Sequence, residues 1–244
     1  MTAKTVELQK LSRSQAKPLA AKESKTTHTL TTYHPSKFHY PVASKKGRIV
    51  SLNKGFIMRL IIGLSGSSGV IYGIRMLQML AERSDIETHL VMSQAARMNI
   101  GIETDWKPED VEALADEVHN NKNIGATIAS GSFKTAGMIV VPCSMKTLSG
   151  IVNSYADNLL IRAADVVLKE RRKLVIVPRE SPLHTGHCEL MLKASQFGAI
   201  ICPPSPAFYS EPKTVDDIIN HSVARVLDLF DIETGSLKRW QGNV

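Results

Sequence analysis

The sequence predicts an α/β protein whose parallel sheet is covered by helices on both faces. From Met58 onward, short apolar runs alternate with segments of helical periodicity, which is the pattern of βαβ units. Such continuous apolar strands are typical of parallel sheets. The 244 residues suffice for one domain with or without a tail. A composition of 43% hydrophobic and 22% charged residues is ordinary for a globular protein.

The predicted elements follow one another without an internal repeat. The first strand ends in a turn rich in Ser and Gly, after which apolar residues recur at helical spacing from Val70 to Leu80. Pro108 and an acidic first turn begin a predicted helix that runs to about Val118. The predicted strands are Leu60–Leu64, Thr88–Met92, Met138–Val141, Leu174–Val177 and Ala199–Cys202. The remaining predicted helices are Asn158–Arg171, His187–Phe197 and Val215–Phe230.

Residues 1–57 differ from the rest of the chain in charge. They hold 11 Lys and Arg against two Glu, a net +9, whereas the whole chain carries +7 and residues 58–244 therefore −2. The stretch lacks helical or strand periodicity, so we expect a basic, disordered extension before a domain at 58–244. One alternative interpretation is a targeting segment. Another is a wrongly assigned start codon, with translation of a bacterial gene beginning at Met58. The basic tail alone does not predict nucleic-acid binding, and we expect no nucleic-acid partner.

Composition also bears on localisation. Three cysteines without a CxxC pair argue against a disulfide framework and fit a reducing compartment. No apolar run approaches the roughly 18 residues that a membrane span needs. We therefore expect a cytoplasmic protein without a membrane partner, or a mitochondrial one if residues 1–57 are a transit segment.

The carboxyl ends of the predicted strands carry the unusual residues, and ligands of open parallel sheets bind beyond these ends. Gly66 and Gly69 allow a tight turn into the first helix, whose N-terminus attracts anions. Neither a GK[ST] nor a GxGxxG motif follows. Ser93, rather than an acidic residue, ends the second strand, which favours a mononucleotide such as FMN over a dinucleotide. A plain tight turn remains the alternative.

Two later strand ends also carry reactive groups. The segment Cys143–Thr147 offers hydroxyls, N–H groups and a lysine to a phosphate or a flavin edge. Cys143 itself is either a nucleophile or, as is commoner, a small buried residue. Arg179 and Glu180 stand between two prolines, where Arg can bind phosphate with two hydrogen bonds and Glu can exchange protons. A surface ion pair is the alternative for these two residues.

The predicted helices add further cations. Arg162 and Lys169 are seven residues apart and share one helix face. A solvated charged face is the ordinary interpretation, but Arg162 follows an apolar run, where a cation needs a partner such as an anionic ligand. Tyr209 and Arg225 contribute a phenol and another guanidinium.

One group of residues has a superficial likeness to a metal site. His184, His187 and Cys188 are close in sequence, but no second cluster completes a zinc set. We expect a structural role at a helix start and no metal.

Together the motifs carry a family resemblance over Met58–Gly242. They are Gly63–Val70, Glu103–Trp106, Pro142–Leu148, Leu160–Arg171, Val177–Leu183, Pro206–Tyr209, Ala224–Leu227 and Arg239–Trp240. Each motif is weak alone, but their number and order resemble the UbiX-like flavin prenyltransferases, including the B subunits of phenolic-acid decarboxylase systems. The chain departs from the family at Cys188, where Leu is usual.

The resemblance implies a flavodoxin-like, three-layer α/β/α domain in a homo-oligomer, usually a dodecamer, with sites at subunit interfaces. It also implies transfer of a dimethylallyl group from dimethylallyl phosphate to N5 and C6 of reduced FMN, without a metal. The prenylated FMN would serve a separate UbiD-type decarboxylase.

By motif match, the resemblance also implies roles for individual residues. FMN would be contacted by Gly66, Ser67, Ser68, Ser93, Ser144, Met145, Lys146, Thr147 and Arg179. The allyl phosphate would be held by Arg162, Lys169, Tyr209 and Arg225, and Trp240 would line the prenyl pocket. The catalytic groups would be Glu180, Lys169, Ser68 and Glu103. Glu180 would be the acid/base group near the departing phosphate, and Ser68 and Glu103 would assist proton handling at the flavin.

Two other functions remain open at this point. One is an FMN-dependent decarboxylase of aromatic acids or cysteinyl peptides. The cysteine-decarboxylase type uses a histidine on its first helix, and Val70–Leu80 contains none. The other is a non-catalytic flavin-binding or decarboxylase-assembly subunit. Against it stands the joint presence of Lys169, Glu180, Tyr209 and Arg225, which pure binding does not require.

Overall fold

The computed structural model describes residues 57–235 together with 237, 239 and 242. The predicted basic extension therefore lies, apart from Ile57, outside the described residues, and so does Trp240. No helix in the described ranges is long and apolar enough to cross a lipid bilayer.

A single sheet of parallel strands forms the centre of the described domain. The strands are β1 (Met58–Leu64), β2 (Ile86–Met92), β3 (Glu117–His119), β4 (Gly137–Cys143), β5 (Lys173–Pro178) and β6 (Ile200–Ile201). Their order is β3-β2-β1-β4-β5-β6. All five strands that the sequence predicts are present. When the three-residue edge strand β3 is left out and these five are numbered in chain order, their order in the sheet is 2-1-3-4-5, as in flavodoxin.

Helices connect these strands. They are α1 (Val70–Ala81), α2 (Gln94–Glu103), α3 (Pro108–Glu112), α4 (Met145–Val152), α5 (Leu159–Lys169), α6 (Thr185–Gln196) and α7 (Val215–Asp228). The expected helix from Pro108 to Val118 is wrong in its second half, because α3 ends at Glu112 and Val118 pairs with Leu90 at the sheet edge. The carboxylate of Asp116 accepts hydrogen bonds from the N–H and hydroxyl of Thr88, both at 2.8 Å, and so binds this segment to β2.

The core lies in two layers, one on each face of the sheet. Alternate residues of β1 point to opposite layers, with Leu60 and Ile62 in one and Ile61 in the other. The first layer packs against α1 and α7, and the second packs against α4 and α5. This burial of both faces explains why the strands read as continuous apolar runs, and it confirms the predicted three-layer α/β/α architecture.

A buried arginine joins α1 to α7. Arg75 of α1 is 7% exposed, and its guanidinium bonds to Asn220 and lies 3.2 Å from a carboxylate oxygen of Asp216. Because a buried cation needs such partners, this contact sets how α7 lies against α1.

Candidate active site

Backbone hydrogen bonds connect the carboxyl ends of four neighbouring strands. The N–H of Ser93, after β2, donates to the carbonyl of Leu64 at 2.9 Å. The N–H of Ser65, after β1, donates to Pro142 at 3.1 Å, and the N–H of Arg179, after β5, donates to Cys143 at 3.2 Å. The strand ends that the sequence marked as unusual therefore form one continuous rim.

Ser65 is the buried centre of this rim. Its hydroxyl accepts a hydrogen bond from the N–H of Ser144 at 2.7 Å and donates to the carbonyl of Pro142 at 3.1 Å. Sequence patterns placed Ser65 in the glycine turn but did not single it out. Its position directly after an apolar strand is the signal that could have found it.

The glycine turn packs closely against α2. A Cβ on Gly66 would come within 2.3 Å of the Ala95 Cβ, and Gly69 has φ +94, so both positions require glycine. Between them, the Ser67 hydroxyl is buried and has no hydrogen-bond partner among the residues that the structure describes, while Ser68 is exposed. A buried hydroxyl without a partner is costly unless a ligand or water satisfies it.

A carboxylate, rather than free N–H groups, occupies the start of α1. Glu103 at the end of α2 accepts hydrogen bonds from the N–H of Gly69 at 2.8 Å and of Val70 at 3.3 Å. These two N–H groups are therefore satisfied within the chain, by a carboxylate at the positive end of the helix dipole; anion binding at this turn stays a prediction. The same contact places Glu103 beside the glycine turn.

Two of the predicted FMN serines cap helices at the rim. The Ser93 hydroxyl accepts from the N–H of Ala96 at 3.1 Å, and the Ser144 hydroxyl accepts from the N–H of Thr147 at 3.3 Å. In the first turn of α4, Met145 and Thr147 are buried and Lys146 is exposed. Both hydroxyl groups thus support the local structure and sit at the same rim as Ser67.

A cavity of about 150 Å³ lies beside the rim, between α1, α7 and the segment after β6. It brings together Tyr209 and Arg225, the two residues that the resemblance assigns to the allyl phosphate. Its lining also includes Tyr72, Met76, Val141, Val177, Cys202, His221 and Ser222. Sequence patterns missed His221 and Tyr72. The spacing of four residues between His221 and Arg225, which puts both on one helix face, is the signal that could have found the histidine.

Arg179 lies between the glycine turn and this cavity. The position of a Cβ on Gly69 would be 3.2 Å from the Tyr72 ring and 4.0 Å from Cγ of Arg179. Burial raises the pKa of the Tyr72 hydroxyl, and the positive charge of Arg179 opposes that shift. Glu180 follows on the exposed loop, where its carboxylate accepts from the N–H of Ser181 at 3.1 Å.

Arg162 and Lys169 do not join this group within one chain. Arg162 pairs with Asp165 at 2.7 Å, and Lys169 pairs with Glu170. Lys169 ends α5 only four residues before β5 begins, so it lies near the amino ends of the strands, at the end of the sheet opposite to the rim. Both residues belong to the helix layer that packs on the other face of the sheet from α7.

The remaining candidates have structural roles. Burial raises the pKa of the Cys143 thiol to about 12, which leaves no nucleophilic thiolate near neutral pH. His184 caps α6, because its ring Nδ1 accepts a hydrogen bond from the N–H of Gly186 at 3.1 Å. The ring centroids of His184 and His187 are 3.6 Å apart. Within the part of the chain that the structure describes, no group of three side chains could hold a metal ion.

The chain is similar to known flavoproteins. A family model described as Flavoprotein matches residues 51–227. The flavin prenyltransferase UbiX of Escherichia coli (strain K12) is 59% identical over 186 residues, which cover 75% of this chain and 98% of that protein.

Two solved structures share the fold at high identity. The dodecameric FMN-dependent UbiX-like decarboxylase from Escherichia coli O157:H7 is 57% identical, with a TM-score of 0.75 over 76% of this chain and 100% of that one. AnUbiX (PadA1), in complex with FMN and dimethylallyl pyrophosphate, is 49% identical, with a TM-score of 0.75 over 77% of this chain and 100% of that one. These matches, together with the rim and cavity described above, show that the chain belongs to the flavoprotein family and, within it, to the UbiX-like flavin prenyltransferases.

Proposed function

We propose that the protein transfers a dimethylallyl group from dimethylallyl phosphate to N5 and C6 of reduced FMN. The observation that carries this proposal is the adjacency of two features. One is the Gly-Ser rim, whose Ser67 hydroxyl is buried and without a partner among the described residues; the other is the cavity that Tyr209 and Arg225 line. A solved relative supports the proposal, since AnUbiX is described in complex with both a flavin, FMN, and an allylic phosphate ester, dimethylallyl pyrophosphate.

The rim residues fit FMN. Ser67 offers a buried hydroxyl that has no partner among the described residues, and a bound ligand would satisfy it. The residues that would hold FMN are Gly66, Ser67, Ser68, Ser93, Ser144, Met145, Lys146, Thr147 and Arg179. When bound, reduced FMN supplies the two atoms that accept the prenyl group.

The cavity fits an allylic phosphate. Arg225 and the Tyr209 hydroxyl would hold the phosphate, and donors aimed at a departing anion lower the barrier to its departure without a metal. Met76, Val141 and Val177 form apolar walls that keep water from a developing allyl cation. Arg179, between the two features, would contact both ligands.

The group proposed for proton transfer lies on the exposed loop after β5. We assign Glu180 as the acid/base group, since a proton must leave C6 when the new carbon–carbon bond forms. Ser68 would assist at the flavin. Glu103 would assist from its position at the glycine turn, where it also stabilises the start of α1.

A second copy of the chain would complete the site. Arg162 and Lys169 lie on the far helix layer, so one chain cannot bring them to the phosphate beside Arg225. We therefore infer a homo-oligomer with sites between subunits, most simply a dodecamer like the solved relative from Escherichia coli O157:H7. Trp240 is assigned to the prenyl pocket by motif match alone.

The product would be used by a UbiD-type decarboxylase as a functional partner. Residues 58–244 carry a net charge of −2, which supports neither a nucleic-acid partner nor an anionic membrane surface. We place the protein in the cytoplasm. The similar flavin prenyltransferase UbiX of Escherichia coli is a bacterial protein and gives the mitochondrial alternative no support.

One observation favours a second candidate function, direct decarboxylation, because the solved relative from Escherichia coli O157:H7 is described as an FMN-dependent decarboxylase. Against the cysteine-decarboxylase type, α1 contains no histidine. Incubation with reduced FMN and either a cysteinyl peptide or an aromatic acid would show release of CO₂ if this candidate were right.

The direct test is anaerobic incubation with reduced FMN and dimethylallyl phosphate, followed by mass spectrometry of the flavin. We expect a flavin that has gained the prenyl group, and unchanged FMN when the donor is omitted. Absence of the adduct, with FMN bound to the protein, would contradict the proposal.

A further inference from the structure

His221 is a buried polar side chain in the cavity to which no role has been given above. It lies on α7, four residues before Arg225 and therefore on the same helix face, and it is 7% exposed. Its Nε2 lies 3.4 Å from the Tyr209 hydroxyl. The two rings meet edge to face, with centroids 5.7 Å apart and planes at 84°.

An anionic ligand beside Tyr209 determines which of the two side chains donates the hydrogen bond in this contact. A phenol has a single proton, and to bind a phosphate it must donate that proton to a phosphate oxygen. The phenolic oxygen can then only accept from His221. If His221 accepted instead, Tyr209 would present only lone pairs to the anion, and the two would repel each other.

We propose that His221 is a positioning residue for the allyl phosphate: its Nε2–H donates to the Tyr209 oxygen and directs the phenolic proton into the cavity. This inference rests on the proposed function, because it takes its direction from a phosphate bound beside Tyr209. The distance of 3.4 Å is long for a hydrogen bond and should shorten when the phosphate draws the phenolic proton, as such contacts do in complexes.

Two neighbouring polar groups of the cavity, Ser222 and Cys202, are unsuited to this role. The Ser222 hydroxyl donates to the carbonyl of Ile218 at 2.8 Å, so its proton is used within α7. Burial raises the pKa of the Cys202 thiol, and Arg225 opposes that shift; a protonated thiol is a weak hydrogen-bond donor. His221 is thus a strong N–H donor on α7 that lies against the Tyr209 hydroxyl, whereas Arg225 of the same helix is assigned to the phosphate itself.

The test compares His221→Leu, which removes the donor, with His221→Gln, which keeps an N–H donor on a side chain of similar size. We expect His221→Leu to raise the KM for dimethylallyl phosphate about five- to tenfold, the equivalent of one hydrogen bond, with kcat and FMN affinity unchanged. His221→Gln should restore a KM within about twofold of wild type. If His221→Leu does not fold, His221→Phe, which keeps an aromatic ring beside Tyr209, replaces it with the same expectation.

A double-mutant cycle with Tyr209→Phe separates positioning from packing. Because His221 acts through the phenol, His221→Leu should change the KM by less than about twofold when Tyr209 is already Phe. Equal KM values in the wild type, His221→Leu and His221→Gln would overturn the inference, as would full additivity in the cycle. A wild-type protein that forms no prenylated FMN would instead contradict the proposed function, so the two failures are distinguishable.

Discussion

Arg225 and Arg162 make the same kind of ion pair on their own helices but lie in different helix layers. Each lies on a helix and pairs with an aspartate three residues further on, Arg225 with Asp228 at 3.2 Å and Arg162 with Asp165 at 2.7 Å. Arg225 lines the cavity beside Tyr209. Arg162 lines no part of that cavity and lies on the helix layer across the sheet.

The difference follows from the layers, not from the helices themselves. Apolar residues of α7 pack into the core with α1, and those of α5 pack into the opposite core with α4. Each helix layer packs about 10 Å from the sheet, so the two helix layers are about 20 Å apart, too far for one small phosphate to contact both arginines of one chain. If both cations bind one phosphate, as the resemblance implies, they come from two copies.

The largest expected effect concerns Glu180, the proposed acid/base group on the loop after β5. Glu180→Gln should retain FMN binding and lose about 10²- to 10⁴-fold in turnover, since a general acid/base contributes that much. Flavin fluorescence titration and quantification of prenylated FMN measure the two quantities. Glu189→Gln, on the exposed face of α6, is the matched control and should be active. Near-normal turnover in Glu180→Gln would remove Glu180 from this role.

The next effect concerns Arg225 itself. Arg225→Gln should lower kcat/KM for dimethylallyl phosphate by about 10²-fold, because one donor to the departing anion is lost. Arg83→Gln serves as the control, since Arg83 pairs with Asp85 at the surface, and it should match the wild type. A kcat/KM for Arg225→Gln within a few fold of wild type would mean that the cavity does not hold the phosphate.

A mixing experiment addresses the assignment of the two arginines to different copies. Arg162→Gln and Arg225→Gln should each be nearly inactive alone. Co-expressed, they should recover about a quarter of wild-type activity, because some interfaces then combine two intact arginines. Mixed oligomers no more active than the single variants would place both arginines in one chain's site. An active Arg162→Gln variant would remove Arg162 from the site altogether.

The smallest effect concerns the aspartate beside Arg162. Asp165→Asn removes a partly exposed pair worth about 0.5 kcal/mol. Thermal unfolding should therefore shift by no more than about 2 °C, and activity should stay within about twofold of wild type. A large loss of activity would show that Asp165 is needed to hold Arg162 in place, and the arginine's contact with a second copy would then depend on it.

Much of the fold was predictable because each strand is an apolar run ending in Gly, Pro or Ser. The edge strand β3 was not, since its three residues follow an amphipathic stretch that also fits a helix; the contact of Asp116 with Thr88, 28 residues away, decides the outcome.

Candidate site residues could be named where family motifs carry them, as for Tyr209 and Arg225, which come from two separate motifs. The contacts that distant segments make with each other were not predictable. Glu103 reaches the start of α1 from 34 residues away, and periodicity contains no trace of that contact. Hydrophobic patterns likewise show that α5 and α7 each bury a face, but not that those faces belong to opposite sides of the sheet.

The most direct test of prenyl transfer at this site is a simultaneous count of its two products. Under anaerobic conditions with reduced FMN and dimethylallyl phosphate, we expect inorganic phosphate and prenylated FMN to appear in equal amounts, and both to be lost together in Arg225→Gln. Release of phosphate without prenylated FMN, or formation of neither product by the FMN-bound wild-type protein, would contradict the account.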